Sequence, residues 1–232
     1  MNANSKMGMR IDNYFFDFDG TLAQTAEDLA QTWRQVLALH GRTCDDERKL
    51  YHVGPLLKDW ADELLPGLAP AEKTEILAEF RRIYVGDGYP FTVLYPGVLE
   101  WLTGLKNSGK RLFIATNKFK LPTDTLLKKN GIEDFFIKVY APDALPGPHR
   151  LKKEFLSVAL QEQHCDPEHS MMVGDSLGDL LAGRANGMKV GMVRWGYGNQ
   201  AEIEANRPDC YFTTDPATGG IVPEPASSPV KV

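Results

Sequence analysis

Two acidic residues at the end of a predicted strand are the first indication of chemistry. The stretch NYFFDFDGTL places Asp17 and Asp19 directly after the aromatic run at residues 13–16. Residues i and i+2 of an extended chain point to the same side, so both carboxylates can approach one ligand. Unpaired charge at the edge of a core is costly, which favours a bound cation at this position. Gly20 permits the tight turn that follows.

Two further carboxylates follow a later predicted strand. In MVGDSLGD, Asp175 ends the strand and Asp179 lies one turn into the next helix. Mg²⁺ prefers carboxylate oxygens and uses few protein ligands, so Asp17, the backbone carbonyl of Asp19 and Asp175 are the predicted metal ligands. The pattern favours phosphoryl transfer. One aspartate can attack phosphorus, and an acid two residues on can protonate the leaving oxygen and later activate water.

Polar and basic residues elsewhere complete a predicted phosphate site. RLFIATNK ends a strand with Thr116 and Asn117, and HRLKKEFLSVAL opens a helix with Lys152 or Lys153. Thr116, Asn117 and backbone N–H groups such as that of Gly20 are predicted to hold phosphate oxygens, while a lysine neutralises their charge. A metal and a lysine should also lower the pKa of the attacking aspartate and keep it ionised.

These residues require a fold that brings distant parts of the chain together. Short apolar runs alternate with helical patterns, which predicts an α/β fold with a parallel sheet and helices on both faces. Parallel strands end at one edge of the sheet, so the residues above should converge there. A proline near its start marks entry into the second predicted helix. The predicted strands are 14–18, 111–116, 138–141, 170–175, 189–193 and 210–213, and the predicted helices are 97–107, 122–129, 152–163 and 177–186.

One long segment interrupts this alternation. Residues 24–95 contain amphipathic helical patterns and no convincing strand. An insertion directly after the first strand lies over the edge where open α/β folds bind ligands. We therefore predict a mobile helical cap at 24–95 over a Rossmann-like core formed by 9–23 and 96–215. Residues 216–232 are rich in Pro, Gly and Ser and are predicted to be a disordered tail.

A few residues in the cap and in a late loop are candidate substrate contacts. In the cap these are His52, Lys58 and Trp60. A solvated helix surface is the favoured interpretation for each of them. In VRWGYG, Trp195 and Tyr197 are interpreted as loop packing.

Composition limits the protein class. The chain has 232 residues and a formal charge of −5, which argues against nucleic acid as the main partner. Cys44, Cys165 and Cys210 are far apart, which favours a reducing compartment and no structural zinc. We find no apolar signal core and no run of the ~18 apolar residues expected of a membrane helix. These features predict a cytoplasmic protein that acts away from membranes. Its predicted partner is a small phosphorylated metabolite, and the protein is expected to be a monomer or a homodimer.

The order of the motifs resembles that of the haloacid dehalogenase superfamily. DFDGTL, TNK, a lysine that opens a helix and GDSLGD follow one another as that superfamily's four motifs do, and the helical insertion is similar to its C1 cap. YPGVLEWLTGLKNSGKRLFIATNK and MVGDSLGDLLAGRANGMKVGMVRWGYG are particularly similar to phosphoglycolate phosphatase-like members. The resemblance implies an Mg²⁺-dependent phosphatase, with phosphoglycolate as one candidate substrate.

The resemblance also implies a role for each motif residue. Members close to phosphoglycolate phosphatase often carry Lys-Pro at the third motif, and this chain has no such pair. The motif lysine is placed at Lys152, with Lys153 and Arg150 as alternatives. The implied roles are Asp17 as nucleophile, Asp19 as general acid and base, Thr116 and Asn117 for phosphate, Asp175 as Mg²⁺ ligand, and Asp179 as a metal ligand or a residue that orients one.

Other functions remain open at this point. A phosphosugar mutase of the same superfamily would share Asp17 and Asp19 and would transfer phosphate to a second hydroxyl. A non-catalytic protein that binds a phosphometabolite under a closed cap would show binding without turnover. A dehalogenase is disfavoured because it does not need the proton donor Asp19. A phosphonatase is disfavoured because it requires a cap lysine, and Lys49 and Lys58 form no convincing pattern.

Overall fold

The computed structural model describes residues 9–226 except Pro55, Asp87 and residues 147–150. Its main sheet has seven strands in the order β5-β4-β1-β6-β7-β8-β9, and a separate ribbon pairs β2 with β3. The strands are β1 (Asn13–Phe16), β2 (Ala23–Gln24), β3 (Val93–Leu94), β4 (Arg111–Ala115), β5 (Val139–Tyr140), β6 (Ser170–Gly174), β7 (Lys189–Val193), β8 (Cys210–Thr214) and β9 (Ile221–Pro225).

Helices cover the sheet and form the inserted segment. None of those in the described part of the chain has the length and hydropathy needed to cross a bilayer. The helices are α1 (Ala26–Leu39), α2 (Leu57–Leu64), α3 (Pro70–Gly86), α4 (Val98–Asn107), α5 (Lys120–Lys129), α6 (Lys152–Glu162), α7 (Leu177–Ala185) and α8 (Gln200–Ala205).

The centre of the sheet is parallel and buried on both faces. Strand β1 lies between β4 and β6, and Phe16 is in register with Ile114 and Val173. Because side chains alternate along a strand, Phe15 and Phe16 enter different hydrophobic clusters. Phe16 packs in the cluster that includes α4 and α5, and Phe15 packs in the one that includes α6. The predicted α/β fold with helices on both faces is confirmed.

The inserted segment differs from its prediction in one respect. No strand was expected between Gln24 and Tyr95, yet β2 and β3 pair antiparallel, with Ala23 in register with Leu94. These strands are too short for a hydrophobic pattern to reveal them, because each contains only two residues. The ribbon lies at the two ends of the segment 24–95, which we retain as the proposed cap.

The C-terminal region and one helix start also differ from expectation. The predicted disordered tail is wrong for Ile221–Pro225, which form β9 and pair antiparallel with β8. Its two prolines are tolerated because β9 is an edge strand. Residues 227–232 lie outside the described residues. Helix α5 begins at Lys120, so Pro122 is its third residue and not its first. The first turn of a helix still accepts proline, because its N–H groups have no partner in the preceding turn.

Candidate active site

Three neighbouring strands of the parallel sheet deliver the predicted motif residues to one edge. Asp17 follows β1, Thr116 follows β4 and Asp175 follows β6. Because these strands are in register at their carboxyl ends, residues that are far apart in sequence come close together. Lys152 and Asp179 reach the same place from the first turns of α6 and α7.

A cluster of three buried carboxylates forms the centre of the site. Asp17, Asp175 and Asp179 each offer an oxygen, and these oxygens lie within 4.8 Å of one another. Asp17 Oδ1 is buried, and Lys152 Nζ, at 3.1 Å, is the cation that pairs with it among the described residues. Hard carboxylate oxygens that are withdrawn from water and incompletely satisfied suit Mg²⁺, so the residues fit the predicted metal. Asp17, Asp175 and the backbone carbonyl of Asp19 remain the proposed ligands.

Burial dominates the ionisation of these acids in the protein chain by itself. Desolvation raises the pKa of Asp17 to about 7, with Lys152 opposing the shift and Asp179 and Asp19 adding to it. Desolvation and then the charge of Asp179 likewise raise the pKa of Asp175 well above its usual range. From the sequence, we expect a metal ion and a lysine together to lower the pKa of Asp17. Without the metal ion, the charge of Lys152 does not outweigh the effect of burial, and the pKa is raised.

Lys152 is the basic residue that reaches the carboxylates. Its Nζ lies 3.1 Å from Asp17 Oδ1 and forms a second ion pair with Asp179. Burial alone would lower the pKa of Lys152, but the charges of Asp17 and Asp179 raise it above its usual value, so the ammonium is retained. The neighbouring Lys153 is exposed. Arg150, the other alternative, lies outside the described residues.

Asp179 is held in place by the start of its own helix. Ser176 caps α7, and its backbone N–H and hydroxyl both donate to Asp179 Oδ2, at 3.0 and 2.7 Å. The other carboxylate oxygen faces Lys152. Asp179 thereby links the helix cap to the lysine, a geometry consistent with a residue that orients its neighbours.

Asp175 is held by a loop that approaches it closely. The backbone N–H of Tyr197 donates to Asp175 Oδ2 at 2.7 Å, and Thr21 Oγ1 lies 3.4 Å from Asp175 Oδ1. Gly20 adopts φ +76°, and a Cβ added there would lie 2.3 Å from Asp175 Oδ2. Glycine is therefore needed at position 20 both for the turn and for the close approach.

Thr116 and Asn117 have different surroundings. Thr116 is buried, forms a side-chain hydrogen bond with Asp17, and accepts one from the backbone N–H of Lys118 at 3.2 Å. Asn117 Nδ2 donates to the backbone carbonyl of Gly54 at 3.0 Å, which ties the strand end to the inserted segment. The phosphate roles predicted for both residues, and for Gly20, remain proposals.

Lys118 is a site residue that the sequence analysis missed. Its buried Nζ lies 3.1 Å from Asp19 Oδ1 and donates to Tyr84 Oη at 2.8 Å. Burial, and secondarily the charge of Asp19, hold the pKa of Tyr84 well above its usual range, so this hydroxyl keeps its proton. The available signal was the lysine that ends TNK. Its pairing with Asp19 and Tyr84 could not be inferred, because both partners lie far from Lys118 in the sequence.

A cavity of about 390 Å³ opens from Asp17 and Asp19 toward the inserted helices. Trp60 lines it and is 3% exposed, so the solvated-surface interpretation is wrong for this residue. That interpretation fits Lys58, which is exposed. His52 is exposed and pairs with Glu63.

The chain belongs to the haloacid dehalogenase-like hydrolase family, which it matches over residues 14–193. The fold and the chain's relatives identify it as a hydrolase of this family with phosphatase relatives. A curated 5'-nucleotidase from Pseudomonas aeruginosa is 28% identical over 204 residues, covering 88% of this chain and 91% of that protein. Pyrophosphatase PpaX from Bacillus pumilus is 30% identical, with 86% and 90% covered. Tyrosine-protein kinase PtkA from Mycobacterium tuberculosis is 31% identical over 82% of this chain, which spans 64% of that protein.

Solved structures give the same family. A haloacid dehalogenase-like hydrolase from Streptococcus pneumoniae superposes with a TM-score of 0.78 at 26% identity, covering 87% of this chain and 93% of that one. The similarity therefore extends over the inserted segment as well as the sheet.

Proposed function

We propose that this protein is an Mg²⁺-dependent phosphatase that hydrolyses a small phosphate monoester through an aspartyl-phosphate on Asp17. The observation that supports the proposal best is the burial of Asp17 beside the ammonium of Lys152, with carboxylate oxygens of Asp175 and Asp179 within 4.8 Å. Asp19 follows two residues later and has its own cation, Lys118. An acid pair of this kind, with positive charge beside each member, suits the transfer of an anionic group.

The proposed reaction has two steps. An oxygen of Asp17 attacks phosphorus, the bond from phosphorus to the alcohol oxygen breaks, and Asp19 gives its proton to that oxygen. Asp19 then takes a proton from water, which attacks the aspartyl-phosphate and releases inorganic phosphate and a free Asp17. Lys152 and Thr116 hold the phosphoryl oxygens. Bound Mg²⁺ would neutralise the charge of the phosphoryl group.

The substrate is proposed to be a small phosphorylated metabolite. Phosphoglycolate is one candidate, because two stretches of the sequence resemble phosphoglycolate phosphatase-like proteins. A nucleotide and pyrophosphate are others, from the names of the two curated hydrolases. We further propose that the protein acts in the cytoplasm as a monomer or homodimer.

Phosphate release from a panel of monoesters, measured with Mg²⁺ and with EDTA, tests this function. We expect Mg²⁺-dependent release, its loss in Asp17→Asn, and no change in Asp124→Asn, whose exposed carboxylate pairs with Lys120 and does not line the cavity. Intact-mass measurement during turnover should detect one added phosphoryl group on the wild-type chain and none on Asp17→Asn.

Two other outcomes would point to the alternatives. Transfer of phosphate between two hydroxyls of a phosphosugar, in place of release, would identify a mutase. Ligand binding that is undiminished in Asp17→Asn, without turnover by the folded wild-type protein, would indicate a non-catalytic binding protein. Either result would overturn the phosphatase proposal.

A further inference from the structure

The cavity above the catalytic edge has walls that are mostly aromatic and aliphatic. Trp60, Phe80 and Tyr84 contribute from the inserted helices, and Phe119 contributes from the loop after β4. The volume of about 390 Å³ is within the range of pockets that enclose drug-sized ligands. A phosphate joined to a two-carbon acid would leave most of this apolar surface without contact. The cavity therefore suits a larger and less polar alcohol.

The aromatic rings that line the cavity are fixed by packing behind them. Trp33, which is fully buried, lies 5.7 Å from Trp60 and 4.6 Å from Phe80, measured between ring centroids. Phe80 in turn stacks on Tyr84 at 5.7 Å. The Trp60 indole N–H donates to the backbone carbonyl of Lys49 at 2.7 Å. A flat ligand would thus meet preformed surfaces, without the ordering cost of mobile side chains.

The charges around the cavity disfavour an anionic leaving group. Lys152 is paired with Asp17 and Asp179, and Lys118 is paired with Asp19. The described lining contains one further basic residue, Arg81, which is exposed at the rim. A carboxylate or a second phosphate in the cavity would therefore meet no unpaired buried cation among the described residues, and its desolvation would be costly.

Arg81 and Phe119 form a platform at the rim of the cavity. The guanidinium carbon of Arg81 lies 4.8 Å from the centroid of the Phe119 ring. Aromatic side chains and arginine planes are the surfaces on which planar bases stack. This platform and the apolar wall line the same cavity as Asp17 and Asp19.

We propose that the alcohol of the substrate carries a flat aromatic group, which binds between the wall formed by Trp60, Phe80 and Tyr84 and the platform formed by Arg81 and Phe119. This inference rests on the proposed phosphatase function and narrows its substrate class. A nucleobase and a simple aryl ring share the required chemistry. Phosphoglycolate and pyrophosphate lack it.

Matched substrate pairs isolate the contribution of the ring. Uridine or adenosine 5'-monophosphate is compared with ribose 5-phosphate, and 2-phenylethyl phosphate with ethyl phosphate, so the leaving oxygen belongs to a primary alcohol in every case. Stacking of one base makes kcat/KM rise by about tenfold or more. A gain in the first pair alone identifies a nucleoside, and a gain in both identifies any aromatic group.

A conservative variant tests the platform. Phe119→Leu keeps an apolar side chain but removes the flat ring, and we expect it to remove most of the gain in kcat/KM within each pair. Phe91→Leu is the control, since Phe91 is exposed and does not line the cavity. Equal gains in Phe119→Leu and the wild type would place the ring elsewhere and overturn the assignment.

Failure of this inference differs from failure of the proposed function. Turnover of phosphoglycolate or ribose 5-phosphate without any gain from a ring would overturn the inference and leave the phosphatase intact. Absence of turnover with every ester would overturn the phosphatase. The inference would then be decided by calorimetry on the wild-type protein with Mg²⁺. Tighter binding of the nucleoside monophosphate than of ribose 5-phosphate would support it, and equal binding would overturn it.

Discussion

The edge of the sheet and the inserted helices contribute opposite properties to the same site. The edge is built from buried charges in mutual contact, with Lys152 between Asp17 and Asp179 and Lys118 beside Asp19. The inserted segment contributes packed rings such as Trp60 and Phe80. Tyr84 joins the two regions, because its ring is part of the packed wall and its hydroxyl accepts from Lys118.

This difference indicates how the two regions divide the work. Buried charges need exact partners, so the edge has little tolerance for change. An apolar wall needs volume and shape, and cores accept substitutions that conserve both. We therefore expect the edge to set the reaction and the inserted segment to set the substrate.

Removal of the central cation should have the largest effect. In Lys152→Met the carboxylates of Asp17 and Asp179 lose their shared partner. We expect kcat to fall by about 10²- to 10³-fold, as for other preorganised groups that stabilise developing charge. Lys153→Met is the matched control, because Lys153 is adjacent and exposed. Steady-state kinetics on both variants measures the effect, and an equal loss in the two would contradict the assignment of Lys152.

Adding a methyl group to the loop that packs on Asp175 should have an intermediate effect, in this case on stability. A Cβ added at Gly198 would lie 1.9 Å from the backbone carbonyl oxygen of Asp175. Because this oxygen belongs to the backbone, it cannot rotate away as the end of a flexible side chain could. We expect Gly198→Ala to lower the free energy of unfolding by about 3 kcal/mol, the upper range for overpacking.

The inserted segment offers the control for this change. Gly86, the last residue of α3, has no atom within 4 Å of an added Cβ. Gly86→Ala should change the free energy of unfolding by no more than about 0.5 kcal/mol, as for a surface substitution. Urea denaturation of both variants gives the values. A Gly198→Ala protein as stable as the wild type would show that the loop and Asp175 can separate.

Loss of the hydrogen bond that links the two regions should have the smallest effect on activity. Tyr84→Phe keeps the packed ring but removes the acceptor of the Lys118 hydrogen bond. We expect kcat to fall about three- to tenfold, the value of one hydrogen bond of about 1 kcal/mol. Tyr51→Phe removes another hydroxyl of the inserted segment, one that donates to Glu27 at 2.8 Å, and should leave kcat unchanged. Similar kcat values for the two variants would argue against a role for Tyr84 at Asp19.

Local patterns predicted most of the fold and the motif residues at its edge. Asp17, Thr116 and Asp175 each follow an apolar run, and parallel pairing of such runs brings their ends together regardless of separation in sequence. Strand β9 could not be predicted in this way. IVPEP has the composition of a loop, and it forms a strand because β8 offers it an open edge.

The sequence by itself determined the reaction class, because the acids, the strand-end threonine and the helix-opening lysine stand in motifs whose meaning depends only on neighbouring residues. Tertiary structure alone decided which lysine reaches the carboxylates, since Lys152 is buried and Lys153 is exposed on successive positions of one helix. It also decided the pairing of Lys118 with Asp19 and Tyr84, and it placed Trp60 and Phe119 in the lining of one cavity. These contacts join segments that lie on either side of the cavity, and no local pattern encodes a distance between them.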